Sequence, residues 1–178
     1  HPELIEQFQE TVDKYGIGVA ALARHGNPVH PNKEVANAYH EQFEAAICLA
    51  EKLGVKTVVG FSGCPGDCEN SQYPNWVVAT WPDDFQKIKE WQWNEKLIPY
   101  WKKEAKFAEE HNVHQIAFEM HPGFCVYNPG TLLRLREAVG PVIGANFDPS
   151  HLFWQGIEGH GHRSVQLCRQ RRARHNAL

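Results

Sequence analysis

Four short apolar runs, at residues 17–23 (IGVAALA), 55–61 (VKTVVGF), 115–119 (QIAFE) and 142–147 (VIGANF), alternate with longer stretches of helical periodicity. No other feature restricts the possible folds as much. A short continuous apolar run bounded by turn residues is the pattern of a strand buried on both faces. Between them, Leu4, Ile5, Phe8, Val12 and Tyr15 recur at three-to-four spacing after Pro2 and before Gly16, which predicts a helix over 2–15. Val35, Tyr39, Phe43, Ala46, Ile47, Ala50 and Leu53 predict a second helix over 33–53, with Gly54 as its stop. A third begins near Asp83 and carries Phe85, Ile88, Trp91, Ile98, Trp101, Ala105 and Ala108, with Pro99 expected to kink or divide it. Asn128-Pro129 opens a fourth, which Gly140-Pro141 closes. The order is α-β-α-β-α-β-α-β. Such alternation implies parallel strands joined by helical crossovers, either in an open doubly wound sheet or in part of a (β/α) barrel.

The 178 residues fit one domain, and 42% apolar with 22% charged residues is an ordinary globular balance. No window approaches the roughly 18 consecutive apolar residues of a membrane span. The chain opens on His1-Pro2 without a basic-then-apolar leader, and its five cysteines (Cys48, Cys64, Cys68, Cys125 and Cys168) are an odd number without a small-secreted-domain pattern. A cytoplasmic location with free thiols is therefore expected. Cys64 and Cys68 in CPGDC have no second Cys/His pair nearby to complete a zinc site. Of 18 basic and 21 acidic side chains, five arginines and one acid, Glu158, fall in 158–178, which leaves 13 against 20 in residues 1–157. An acidic body without a basic run argues against binding nucleic acid, which needs cations to displace phosphate counterions.

Ligands of both α/β architectures bind at the carboxyl ends of the strands. Here those ends read Arg24-His25-Gly26-Asn27, Ser62-Gly63-Cys64, Glu119-Met120-His121 and Asp148-Pro149-Ser150-His151. Each supplies groups that ligate metal, move protons or hydrogen-bond a polyol. Glu119 and Asp148 offer oxygen ligands, which suit Mg²⁺ or Mn²⁺ and, with a histidine added, Co²⁺ or Zn²⁺. Asp-Pro-Ser is also ordinary turn chemistry. His25 and His121 read equally as satisfied, partly buried histidines or as substrate contacts. The loop at 62–82 is long for an ordered connection, which points to function. Trp76, Trp81 and Trp154 fall in expected loops near the same rim, where an indole can stack on a sugar face.

His25-Gly26-Asn27-Pro28, FSGCPGD at 61–67, WQWNEKLIPYW at 91–101, FEMHPGFCVYNP at 118–129 and GANFDPSHLFWQGI at 144–157 resemble the xylose-isomerase-like barrel family of sugar phosphate isomerases and epimerases. The resemblance covers residues 1–157 and implies a partial (β/α)₈ TIM barrel of about four parallel strands, the third to sixth of the whole. It further implies that Glu119 and Asp148 bind a divalent metal (Mn, Mg, Co or Zn). Glu119 would also act as acid/base beside the carbonyl, and His151 would contact a substrate oxygen. His25, His121 and His151 are the expected substrate-binding residues, Glu119 and His151 the catalytic ones. The implied partner is a small sugar or sugar phosphate, with no nucleic acid or membrane and with self-association possible for an incomplete barrel. A histidine and a glutamate ligand after two later strands would lie beyond this chain.

Residues 158–178 lack helical or strand periodicity, and their arginine-rich composition does not match the body. They are expected to stand outside the native fold, as a shifted reading frame would leave them; the alternative is a basic arm for an acidic partner. Two rivals to the isomerase reading are a zinc-dependent apurinic endonuclease, whose family resembles this one in an Asp-x-x-His element after a strand, and an inactive fragment that self-associates through open strand edges.

Overall fold

The computed structural model describes residues 2–157, so the basic tail at 158–178 lies outside the described residues. Four strands, β1 (Leu22–Ala23), β2 (Thr57–Gly60), β3 (Gln115–Glu119) and β4 (Ile143–Asn146), form one sheet in the order β1-β2-β3-β4. All three pairings are parallel. Strand order that follows chain order, without the reversal of a doubly wound sheet, is the winding of a (β/α) barrel. That decides between the two architectures compatible with the alternation.

Helix α1 (Pro2–Tyr15) precedes the sheet, and α2 (Lys33–Lys52) joins β1 to β2. The Asn32 side chain caps α2 by accepting from the backbone N–H groups of Glu34 and Val35. Between β2 and β3 the helical stretch is unbroken along the chain but changes its winding. Its first part is α3 (Asp83–Trp91), followed by a π-helical turn over Gln92–Leu97 and then α4 (Ile98–Glu110). Pro99 sits in the first turn of α4, where a missing N–H costs little. The expected break is thus a π turn placed just ahead of the proline. Helix α5 (Pro129–Val139), opened by a capping box between Asn128 and Thr131, leads to β4.

Alternation along the strands assigns the two faces of the sheet. Val58, Ile116, Phe118 and Ile143 point into the core shared with the helices, together with Phe43, Ile47, Trp93, Leu97, Trp101 and Leu135. Trp101 is completely buried and meets Phe43 and Phe118 edge-on at ring distances of 5.3 and 4.5 Å. The other face carries small residues at one level, Val59, Ala117 and Gly144, which the register places side by side. Two residues further on, the same face ends in Glu119 beside Asn146. The helices therefore cover one face, and the chemistry stands on the other, at its carboxyl end.

Two elements differ from the sequence reading. The first strand was expected over 17–23, yet only Leu22 and Ala23 are in register with β2, and the Arg24 N–H adds one more bond to the Val59 carbonyl. Asp148-Pro149-Ser150 does not simply turn: it starts α6 (Pro149–Trp154), with Asp148 as its cap. No helix among the described residues is long and apolar enough to cross a membrane.

Candidate metal and sugar site

Glu119 ends β3 facing away from the helical layer, and three side chains from other segments converge on it. His151 Nε2, from α6, lies 2.8 Å from Glu119 Oε1. His25 Nε2, two residues past β1, lies 3.2 Å from Oε2, and the Asn146 amide of β4 donates to the same oxygen at 3.2 Å. An ionised carboxylate only accepts, so both imidazoles present Nε2–H to it. Burial by itself pushes the Glu119 carboxyl up, but the bond from His151, the charge and bond of His25, and the Asn146 amide outweigh it. Together they hold the group below its ordinary value of 4.5.

Asp148 contributes to the same place from the start of α6. Its Oδ1 accepts the Ser150 backbone N–H at 2.8 Å, while Oδ2 remains 3.6 Å from His151 Nε2. The bonds from Ser150, side chain and backbone, keep this carboxyl below 3.8. One oxygen of Asp148 thus serves the turn, and the other faces His151. Ligand atoms of Glu119, Asp148 and His151 all lie within 4.8 Å of one another. Two ionised carboxylates, joined by His151 Nε2 once it gives up its proton, form a donor set that fits a divalent cation, and the ion-pair partners of both carboxylates among the described residues are imidazoles alone.

His121 stands beside this cluster rather than on it. Its ring packs 4.3 Å from His151, and Nδ1 donates to the Pro122 carbonyl at 2.6 Å, which leaves Nε2 as an acceptor. Phe61, the first residue after β2, fills the floor between these histidines: its ring is 4.4 Å from His25, 5.1 Å from His121 and stacked on Phe124 at 4.4 Å. Of the three rim tryptophans, Trp76 ties two loops by donating to the Phe124 carbonyl at 2.9 Å. Trp81 and Trp154 are exposed, and no ring contact or hydrogen bond joins them to the site residues. Cys64 is buried and Cys68 exposed; like Cys48 and Cys125 they are free thiols.

The loops that carry these groups are fixed from beneath. The Asn27 amide donates to the Cys64 carbonyl at 2.8 Å and accepts the Cys64 N–H at 2.9 Å, locking the loop after β1 to the loop after β2. Ser62 Oγ accepts the Val126 N–H at 2.9 Å, and Trp101 Nε1 donates to the Ser62 carbonyl at 2.8 Å. Gln92, buried in the π turn, donates to the carbonyls of Gly66 (2.8 Å), Asn75 (2.7 Å) and Pro65 (3.3 Å). One amide therefore ties together two separate stretches of the long loop at 62–82. Sequence reasoning missed Asn146, Phe61 and Gln92. Asn146 was within reach of it, since it lies at the carboxyl end of an expected strand.

The sequence pattern of the xylose isomerase-like TIM barrel family matches residues 1–176. YfiH of Bacillus subtilis (strain 168), an uncharacterized protein, is 41% identical over 155 residues, which cover 86% of this chain and 49% of YfiH. The chain thus spans about half the length of that curated relative. Among solved structures, 3-keto-D-glucoside 4-epimerase YcjR of E. coli superposes with a TM-score of 0.64 at 13% identity, over 93% of this chain and 60% of its own. A xylose isomerase-like TIM barrel protein from Mycobacterium smegmatis, in complex with magnesium, gives 0.57 at 18% identity, over 85% and 48%. Parallel strands in chain order, polar groups on one rim and a pattern that runs through nearly the whole sequence agree: this chain belongs to the xylose isomerase-like TIM barrel family.

Proposed function

We propose that this chain supplies part of the active rim of a divalent-metal-dependent sugar or sugar phosphate isomerase/epimerase. The observation that carries the reading is Glu119. It is a half-buried carboxylate kept ionised at the end of β3, flanked by two imidazole Nε2–H groups and close to a second ionised carboxylate, Asp148. Similarity to a sugar epimerase and to a magnesium-bound barrel protein supports the substrate and cofactor class.

Glu119 and Asp148 would hold the cation, with His151 near enough to join them. When bound, a divalent cation polarises a carbonyl and its neighbouring hydroxyl, which acidifies the C–H between them. Glu119 is the group that takes or returns that proton, and as a carboxylate it is in the basic form at neutral pH. His151 holds a substrate oxygen, while His25 and His121 contact the sugar's hydroxyls above the Phe61 ring. Isomerisation between adjacent carbons needs one such acid/base group. Inversion at a carbon needs a second on the opposite face.

The experiment is a Mn²⁺ titration of this chain and of Glu119→Ala and Asp148→Ala, read by the electron paramagnetic resonance signal of free manganese. Each substitution is expected to weaken binding at least about tenfold. Unchanged affinity in both variants would refute the site.

A further inference from the structure

Away from the rim, between α2 and α4, lies a second cluster of ligating side chains. His40 and Glu44 occupy successive turns of one face of α2, with His40 Nε2 3.4 Å from Glu44 Oε1. Tyr100 and Glu104 occupy successive turns of the facing side of α4. His40 Nδ1 is 3.2 Å from Tyr100 Oη and 3.6 Å from Glu104 Oε1. Ligand atoms of His40, Glu44 and Glu104 all lie within 4.8 Å of one another.

The Glu104 side chain is completely buried, and neither carboxyl oxygen has a hydrogen-bond partner. Buried carboxylates are almost always paired or hydrogen-bonded, because a bare one forfeits its whole hydration. The nearest cation is Lys103 Nζ, 3.7 Å from both Glu44 Oε1 and Glu104 Oε1, outside hydrogen-bond distance. Lys103 is 65% exposed on a flexible stem, so it can withdraw without disturbing the core. What remains is a cluster of two carboxylates and an imidazole, with one buried carboxylate lacking any hydrogen bond to its oxygens.

We propose that His40, Glu44 and Glu104 form a second cation site, distinct from the catalytic rim, that takes a divalent first-row transition metal such as Mn²⁺ or Zn²⁺. The cation takes one nitrogen of the His40 ring and an oxygen from each carboxylate, and the Tyr100 hydroxyl stands beside it. Mixed nitrogen and oxygen donors favour this class over Mg²⁺ or Ca²⁺, which prefer oxygen alone. The ligands come from two separate helices, so the bound ion clamps α2 to α4. It therefore acts on the outer layer of the fold rather than on the reaction.

The test uses Mn²⁺ as a paramagnetic probe on the full chain, with NMR signals assigned in both regions. Broadening is expected in two separate groups, one around Glu119, Asp148 and His151 and one around His40 and Tyr100. Glu104→Gln, which keeps the shape and removes the charge, should abolish the second group and leave the first. Glu119→Ala should do the reverse. Glu44→Gln, at a partly exposed position, serves as the second variant should Glu104→Gln fail to fold, and should weaken the helical site at least about tenfold. Broadening confined to the rim, or a His40 and Tyr100 effect that survives both Glu104→Gln and Glu44→Gln, would overturn the proposal.

Discussion

His151 Nε2 lies 2.8 Å from Glu119 Oε1, although the two residues are 32 positions apart in the chain. One closes β3 and the other sits in the first turn of α6, so the contact exists only because β3 and β4 are paired in register. That register places Asn146 next to Glu119 and sends the chain through Asp148 into α6. The rim is thus assembled by strand pairing rather than by any local motif.

The pH dependence of stability is set in part by Glu119. Its folded pKa lies below the ordinary 4.5, so it contributes stability that is fully present above that value and is lost as pH falls through the folded value. Urea midpoints measured from pH 6 down to pH 3 should show this loss, and Glu119→Gln should flatten it. An unchanged slope in the variant would mean that other carboxylates account for it.

Asn146 is expected to tune Glu119 without touching its partners on the other side. Asn146→Ala removes one of the donors to Glu119 Oε2. Carbon-detected NMR titration should then place the Glu119 midpoint higher than in the parent protein. A midpoint that stays where it was would assign the whole effect to the two histidines.

Gln92 anchors the long rim loop through three carbonyls. Gln92→Leu fills similar space but leaves the Gly66 and Asn75 carbonyls without their donor, while the Pro65 carbonyl keeps the Asn75 N–H, at a cost of about 2 kcal/mol or more. Urea unfolding should report that loss, and limited proteolysis should cut within 62–82 faster than in the parent. Equal stability and equal cleavage would show that the loop holds its shape without the Gln92 amide.

Gly26 has no room for a methyl group. A Cβ there would stand 2.2 Å from Tyr39 Cδ1 and 2.7 Å from Cγ, which are fixed ring atoms rather than a flexible end. Gly26→Ala should cost about 1–3 kcal/mol through overpacking and should displace His25. Adding Tyr39→Ala should recover part of the loss. A double variant no better than the single one would place the strain elsewhere.

Glu104 predicts the opposite pH trend from Glu119. Burial, reinforced by the charge of Glu44 and opposed by Lys103, pushes its carboxyl up to about 7 in the metal-free protein. A folded value above the unfolded 4.5 means stability present below that pH and lost as pH rises through about 7. With chelator present, Glu104→Gln should therefore be more stable than the parent at pH 8, by on the order of 3 kcal/mol at most. A variant less stable at that pH would show the charge to be compensated.

The sequence by itself determined the alternating elements, because helical and strand periods are written in local spacing: α2 and α5 occupy almost the expected residues, and β3 does so completely. It also placed polar groups at all four strand ends, since a strand that stops at Glu119 or just before Asp148 must present its next residues to the rim. Tertiary structure alone decided the rest. That the sheet winds as a barrel rests on strand order, which spacing does not encode. The shortness of β1 reflects how few of its residues pair with β2, and backbone pairing is a property of two segments. Gln92 and Glu104 look like surface residues of an amphipathic helix in sequence. They are buried because a π turn rotates one inward and because α2 packs over the other, and neither event is visible along a single helix.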